Sequence, residues 1–168
     1  MINNLIDALN YEYIYLIANW GVIPFWMLLI ILPDHKITSF LVQSIIVPLL
    51  LATAYIYVAY NIYLDGNFFD GFELYRGIDG LYSTFSNEAF LLIFWLHFLS
   101  ISLFLGSWIA RDSRKYMVPN FLMIISLILT YFTGPVGLFF YWFLRIFFPK
   151  KSVSMIKTFD FYFDFISP

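Results

Sequence analysis

Four stretches of this chain are long, apolar and almost free of charge, and each is long enough to cross a lipid bilayer. A helix needs about 20 mostly apolar residues to span a hydrocarbon core of about 30 Å. The four windows are residues 11–32, 40–63, 89–110 and 117–148. Lipid offers no partners for free backbone groups, so helices are the open-ended structures that span it. The sequence therefore predicts an all-α fold: a four-helix transmembrane bundle in a single domain over residues 1–168, with a tail at 149–168.

The composition excludes an ordinary soluble domain and several kinds of site. Hydrophobic residues make up 62% of the chain and charged residues 12%, whereas soluble domains carry about 25% charged residues. The absence of cysteine excludes disulfides and thiolate chemistry. Two histidines alone do not supply a common zinc site, and a net charge of −2 provides no basic surface for nucleic acid. We expect no metal, no cofactor and no nucleic-acid partner.

The fourth window is too long and too interrupted to be one straight span. Its 32 residues would extend about 48 Å as a continuous helix, and Gly134-Pro135 breaks it near the middle. Proline removes a backbone donor and crowds the preceding turn. We expect a bent fourth helix; the alternative is a half-membrane fifth element after Pro135.

The connections differ in charge. The first and third carry Lys36, Arg111, Arg114 and Lys115, whereas the second, at residues 64–87, is acidic and aromatic and is expected to contain a short interfacial helix. Basic residues concentrate toward the cytoplasm. With four crossings, however, Lys150 and Lys151 of the tail lie on the same side of the membrane as the acidic connection, which opposes this assignment. The expectation is that both termini lie outside.

His97 is the ionisable side chain nearest the middle of the third window. Such groups are costly in a membrane and usually face the bundle interior. Ser100 and Phe104 follow at helical spacing and share its face. One interpretation makes His97 a catalytic acid or base, with Ser100 and Phe104 binding a lipid-like substrate. The other is a neutral histidine hydrogen-bonded to a neighbouring helix.

Two further features concern the first and third windows. Asn19, Trp20 and Pro24 indicate either a polar-lined substrate pocket at a proline kink or a structural kink stabilised by the Asn19 amide. Ser102, Gly106 and Ala110 form a stripe of small residues, which favours close packing of a second helix.

Polar residues near the ends of the third and fourth windows complete the candidate site. Asp112 lies in a charged cluster with Arg111, Arg114 and Lys115, and is either part of a solvated topological anchor or a catalytic base. Tyr141 and Arg145 are four residues apart and share a helix face. Both are candidate substrate-binding residues, although Arg145 is also placed to extend toward the membrane surface.

Several strings of residues resemble one family in order and spacing. The first string is residues 19–26, Asn-Trp-Gly-Val-Ile-Pro-Phe-Trp, followed by Leu32-Pro33. The second runs from Phe85 through Trp95-Leu96-His97 to Gly106-Ser107-Trp108-Ile109 and Asp112. The third is Leu129-Thr130, Gly134-Pro135-Val136-Gly137-Leu138, Tyr141 and Arg145. Together they resemble the abscisic acid deficient four family of small membrane proteins, over most of the chain.

The resemblance implies a four-helix membrane fold and a link to carotenoid or isoprenoid metabolism. Plant members are plastid membrane proteins needed to make neoxanthin from violaxanthin, an isomerisation that in principle needs an acid and a base but no redox cofactor. His97 matches the family's intramembrane histidine. Five positions later the family helix has an acidic residue where this chain has Ser102, so neoxanthin synthesis itself is not carried over.

The sequence thus leads to two main hypotheses. The first is a cofactor-independent isomerase or accessory factor acting on a carotenoid-like lipid. The second is a non-catalytic pigment- or lipid-binding protein, or an assembly subunit of a membrane complex. A small transporter or channel is disfavoured because the spans contain few charges and no inverted repeat.

Expected partners are membrane lipids, a carotenoid or similar hydrophobic ligand, and a homo-oligomer or membrane complex. The expected location is a bacterial inner membrane, with a plastid membrane as the alternative.

Overall fold

A computed structural model describes residues 10–44 and 46–149, and over those ranges the chain is helical with no strand. This confirms the all-α prediction for the described part of the chain. The helices, in chain order, are α1 (Tyr11–Gly21), α2 (Ile23–Ile31), α3 (Lys36–Leu41), α4 (Ile46–Leu64), a 3₁₀ helix (Phe68–Arg76), α5 (Ile78–Phe85), α6 (Glu88–Lys115), α7 (Asn120–Thr133) and α8 (Pro135–Arg145). The tail predicted at residues 149–168 lies outside the described residues after Pro149.

Three of the four predicted windows correspond to stretches long and apolar enough to cross a membrane. These stretches are Tyr11–Ile31, Lys36–Leu64 and Glu88–Lys115. The first is interrupted at Val22. This position is two residues before Pro24, the proline of the predicted kink. The third is a single 28-residue helix, which extends beyond the predicted end at Ala110. The fourth window is not among the candidate spans, because its first helix, α7, has 14 residues.

Local hydrogen bonds explain where two of these helices begin. The Asn10 side chain accepts a hydrogen bond of 2.9 Å from the Tyr13 amide at the start of α1. At the start of α6, the Asn87 side chain accepts one of 2.9 Å from the Ala89 amide. Such caps satisfy donors that have no partner inside the helix. Asn87 therefore caps the third span.

The acidic connection contains the predicted short helix. α5 covers residues 78–85, directly after the 3₁₀ helix. Large apolar side chains remain exposed along this connection: Phe68, Phe69, Phe72, Tyr75, Ile78 and Tyr82. Exposed aromatic residues beside charged ones are typical of a segment at the membrane–water interface.

The chain divides into two compact units, the first ending at Ser107 and the second beginning at Trp108, within α6. In the first unit, Leu29, Val58 and Leu96 are fully buried. In the second, Ile109, Leu127 and Tyr141 are fully buried. The single transmembrane domain stays a prediction.

In the second unit, α7 and α8 form a tight helical hairpin rather than one bent helix. Gly134 joins them with φ +57° and ψ −87°, a conformation that L side chains rarely adopt. Residues seven apart in a continuous helix are separated by about 10.5 Å. A Cβ on Gly137, however, would lie 2.2 Å from the Thr130 amide nitrogen. The chain therefore reverses at Gly134, so the expected bent fourth helix is wrong and a separate short element after Pro135 is correct.

The turn before α7 also has a defined geometry. Met117 has a positive φ of 49°, and the Val118 amide bonds the Ser113 carbonyl at 2.9 Å. This i to i−5 bond around a left-handed residue is a common way to end a helix. The Ser113 hydroxyl contacts the Met123 sulfur at 3.1 Å, which brings the start of α7 against the end of α6.

Candidate functional site

Asp112, near the end of α6, is the centre of a polar cluster within the second unit. The Tyr141 hydroxyl donates a hydrogen bond of 2.9 Å to Asp112 Oδ2. Arg145 Nε lies 3.1 Å from the same oxygen and forms an ion pair with it. Asp112 is 6% exposed and Tyr141 is completely buried. A phenol and a guanidinium thus converge on one oxygen of a buried carboxylate.

Aromatic rings surround this cluster. The Trp108 and Tyr141 rings meet edge to face, with centroids 5.7 Å apart. The Arg145 guanidinium carbon lies 3.9 Å from the centroid of the Tyr116 ring and 6.0 Å from that of Trp108. The ring faces attract the cation and exclude water from it. The ion pair therefore lies in a local environment of low polarity, where electrostatic interactions are stronger than in water.

The positions of these side chains follow from helical spacing on both helices. Trp108, Asp112 and Tyr116 recur every four residues along α6 and just past its end, so they share one face. Tyr141 and Arg145 recur at the same interval on α8. The hairpin sets these two faces against each other. The predicted shared face of Tyr141 and Arg145 is confirmed.

The structure corrects two expectations for the charged residues. Asp112 is not part of a solvated anchor, because its carboxylate is buried and paired with Arg145. Arg145 does not simply extend to the membrane surface, because its side chain is one-quarter exposed and turns back to Asp112. Neighbouring Arg111, Arg114 and Lys115 are exposed. Burial of a charge is costly unless the charge is paired. The ion pair with Arg145 therefore explains why Asp112 is buried while these three neighbours are exposed.

His97 lies in the first unit with its side chain exposed, so the expectation that it faces the bundle interior is wrong. The buried face of α6 at this level is occupied by Leu96 and Leu99, and one position along a helix turns a side chain away by about 100°. The ring of Tyr55 lies 6.4 Å from the imidazole, centroid to centroid. Ser100, partly buried, donates a hydrogen bond of 3.1 Å to the Pro48 carbonyl and so links α6 to α4.

The other predicted site residues of the first unit do not form a buried polar pocket. Trp20 is 66% exposed, Pro24 is also exposed and Asn19 is partly buried. Phe104 is 41% exposed. The predicted small-residue stripe, in contrast, is buried at Ser102, Gly106 and Ala110, in agreement with a packing role.

Of the predicted site residues, the structure brings together Asp112, Tyr141 and Arg145. Trp108 and Tyr116 were not predicted as members of the site. Each lies four residues from Asp112, and this helical spacing could have identified them as neighbours of that carboxylate. No group of three His, Asp or Glu side chains arranged to hold a metal occurs within residues 10–44 and 46–149. The cluster offers a proton acceptor, a proton donor and a cation that stabilises a negatively charged oxygen, which are the elements of acid–base chemistry.

Comparisons with known proteins identify one family that this chain resembles. The model of the "ABA DEFICIENT 4-like" family matches residues 13–141, which include Asp112 and Tyr141. Protein ABA DEFICIENT 4, chloroplastic, from Arabidopsis thaliana is 23% identical over 110 residues, which are 64% of this chain and 50% of that protein. The chain thus spans about half the length of that relative. No solved structure matches. Since the family model covers most of the sequence, the chain belongs to the ABA DEFICIENT 4-like family.

Proposed function

We propose that this protein is an integral membrane protein that acts on a carotenoid-like lipid, with Asp112, Tyr141 and Arg145 as its reactive site. The observation that carries the proposal is the convergence of Tyr141 and Arg145 on one oxygen of the buried Asp112. Ionisable groups inside membrane proteins are expensive and generally serve a function. The resemblance to a family linked to carotenoid metabolism supports the class of ligand.

The three side chains have distinct proposed roles. The Asp112 carboxylate accepts a proton from a carbon next to the reacting group. The Tyr141 hydroxyl, which donates to Asp112, orients that carboxylate and stays protonated. The proton that Asp112 accepts is then delivered to the substrate oxygen released in the isomerisation. Arg145 stabilises negative charge on a substrate oxygen, since its side chain is 25% exposed whereas that of Asp112 is 9% exposed. An isomerisation of this type moves protons without changing the oxidation state of the lipid, so we expect it to need no cofactor.

A role for the first unit remains part of the proposal. His97, Asn19, Trp20, Pro24, Ser100 and Phe104 stay predictions as site residues. Exposed Trp20, Phe104 and His97 are suited to contact the chain of a hydrophobic ligand or surrounding lipid, rather than to perform proton transfer in a closed pocket.

A second candidate function is non-catalytic binding of a pigment or lipid, and two cavities in the first unit favour it. One cavity, of about 440 Å³, lies between α1 and α6 and is lined by Tyr15, Leu92 and Trp95 among others. Another, of about 310 Å³, lies between the first span and α4 and is almost entirely apolar. Ligand sites are typically concave and mostly apolar, with volumes in this range. A homo-oligomer or an assembly role in a membrane complex belongs to this second candidate.

The location is proposed from the apolar spans and the family. Three stretches that can cross a membrane indicate an integral membrane protein. A bacterial inner membrane and a plastid membrane stay predictions.

Expression in cells that make carotenoids tests the catalytic proposal. Pigments from cells producing the wild type, Asp112→Asn or no protein are separated by chromatography, in several carotenoid backgrounds. The proposal expects a new or altered pigment with the wild type and none with Asp112→Asn at equal protein levels. Arg111→Gln, on the exposed face of the same helix turn, is the matched control and should behave as wild type. An unchanged pigment profile together with pigment that co-purifies with the protein supports the binding function instead.

A further inference from the structure

We propose that α7 and α8 form a re-entrant hairpin, which enters the membrane from one side, turns at Gly134 and leaves on the same side. The chain then crosses the membrane three times rather than four, and its two termini lie on opposite sides. This inference rests on the geometry of the second unit and on the distribution of charge. It does not depend on the proposed carotenoid function.

The lengths of the two helices exclude a full crossing by either of them. α7 has 14 residues and α8 has 11, which correspond to about 21 Å and 16.5 Å at 1.5 Å per residue. A hydrocarbon core is about 30 Å thick. Placed end to end the helices would span it, but the chain reverses at Gly134, as the contact of Gly137 with Thr130 requires.

Contacts at the far end of α8 show that the hairpin returns to its starting level. Arg145, the last residue of α8, packs on the ring of Tyr116, which lies four residues before α7 begins. Arg145 also pairs with Asp112, in the last turns of α6. The end of α8 is therefore beside the end of α6 and the start of α7, all on one side of the membrane if α6 crosses it.

The turn of the hairpin is suited to lipid rather than water. Phe132, Val136 and Phe139 around Gly134 are 71%, 54% and 69% exposed. The hydroxyls of Ser126, Thr130 and Thr133 each donate to the carbonyl four residues earlier in α7. In a membrane, such back-bonding satisfies a hydroxyl without water. An apolar tip whose neighbouring hydroxyls are internally bonded fits the hydrocarbon core.

With three crossings, the tail lysines lie on the same side of the membrane as the other basic residues, which four crossings do not allow. The side reached after the first crossing, here called the basic side, carries Lys36 and then Arg111, Arg114 and Lys115. If the hairpin returns there, the chain after Pro149 continues from the same side with Lys150, Lys151 and Lys157. All lysines and arginines except Arg76 then share the basic side, whereas Asp65, Asp70, Glu73, Asp79 and Glu88 lie on the other. Under the positive-inside rule the basic side is cytoplasmic, so the expected placement of both termini outside is replaced by a cytoplasmic C-terminus.

The absence of cysteine allows a direct test. Single-cysteine variants Tyr75→Cys, Lys115→Cys and Ser152→Cys are made in the full chain and produced in a bacterial host. Intact cells and inverted vesicles are treated with a membrane-impermeant maleimide. Tyr75, highly exposed, reports the acidic side, and Lys115 reports the basic side. Labelling after detergent solubilisation confirms that each thiol is reactive in principle.

The inference expects Ser152→Cys to label in the same preparation as Lys115→Cys and opposite to Tyr75→Cys. It also expects Val136→Cys, at the hairpin turn, to be labelled in neither preparation before detergent is added. Labelling of Ser152→Cys together with Tyr75→Cys would establish a fourth crossing and overturn the proposal. Labelling of Val136→Cys in either preparation would place the turn in water and would equally contradict it.

Discussion

The hydroxyl of Tyr141 on α8 donates a hydrogen bond of 2.9 Å to the carboxylate of Asp112 on α6, 29 residues earlier in the chain. This bond joins two helices that are separated in sequence by the whole of α7. It exists because the chain reverses at Gly134, which returns α8 to the end of α6. The candidate site therefore depends on the hairpin, and changes to either should affect the other.

Removing the charge of Asp112 should destabilise the second unit. Asp112→Asn leaves the Arg145 guanidinium without its ion pair in a largely apolar site. Breaking a buried ion pair costs about 3–5 kcal/mol. Because the Arg145 side chain is one-quarter exposed, we expect a smaller loss, about 2–3 kcal/mol. Thermal unfolding in detergent, followed by tryptophan fluorescence, measures the change.

The double variant Asp112→Asn/Arg145→Gln separates the ion pair from other effects. If the pair itself matters, removing both charges should cost less than the sum of the two single changes, because neither charge is left alone. Strictly additive losses would show that the contact between Asp112 and Arg145 contributes little to stability.

Tyr141→Phe should remove the hydroxyl while keeping the ring against Trp108. A hydrogen bond to a charged group contributes about 1.5–3 kcal/mol, so we expect a loss near the lower end, about 1.5 kcal/mol. Tyr82→Phe, at a highly exposed tyrosine, is the matched control and should unfold at the wild-type temperature. Equal stability of Tyr141→Phe and Tyr82→Phe would contradict the bond to Asp112.

Gly137→Ala should disrupt the hairpin. The added methyl group would lie 2.2 Å from both the amide nitrogen and the hydroxyl oxygen of Thr130, so the two helices would have to separate. Overpacking of this kind costs about 1–3 kcal/mol. Val136→Ala removes side-chain bulk from the neighbouring, exposed position and should be much milder. A Gly137→Ala protein as stable as Val136→Ala would show that the helices do not pack closely at this position.

His97→Ala should leave the stability of the protein close to that of the wild type. The side chain is exposed, and surface substitutions usually change stability by less than about 0.5 kcal/mol. A loss as large as that of Asp112→Asn, measured in the same unfolding assay, would show that His97 is buried against a partner.

The length and apolar character of the first three windows were sufficient to predict the helices α1–α2, α4 and α6. The acidic and aromatic connection at residues 64–87 was likewise expected to contain a short helix, which is α5. These features depend on local composition, which a sequence contains directly. The sequence also indicated a break at Gly134-Pro135, but not whether the chain bends or reverses there. A bend and a full reversal share the same glycine and proline, and they differ in whether Gly137 approaches Thr130, a contact made only in the folded chain.

The candidate site could be predicted only in part for the same reason. The shared face of Tyr141 and Arg145 follows from their spacing, whereas their meeting with Asp112 requires the hairpin. The exposure of His97 could not be predicted from its position near the middle of a span. Which face of an apolar helix is buried depends on its neighbours when nearly every side chain is apolar, and here Leu96 and Leu99 occupy that face.

A comparison of two single substitutions in one pigment assay tests the role of the Asp112 cluster most directly. Cells that make carotenoids express Tyr141→Phe or His97→Ala at equal amounts of folded membrane protein, and their pigments are quantified against the wild type. We predict that Tyr141→Phe loses the pigment change produced by the wild type, because the hydroxyl that orients Asp112 is gone, while His97→Ala retains it. Full retention by Tyr141→Phe with loss in His97→Ala would contradict the Asp112 cluster as the reactive site and return that role to the histidine.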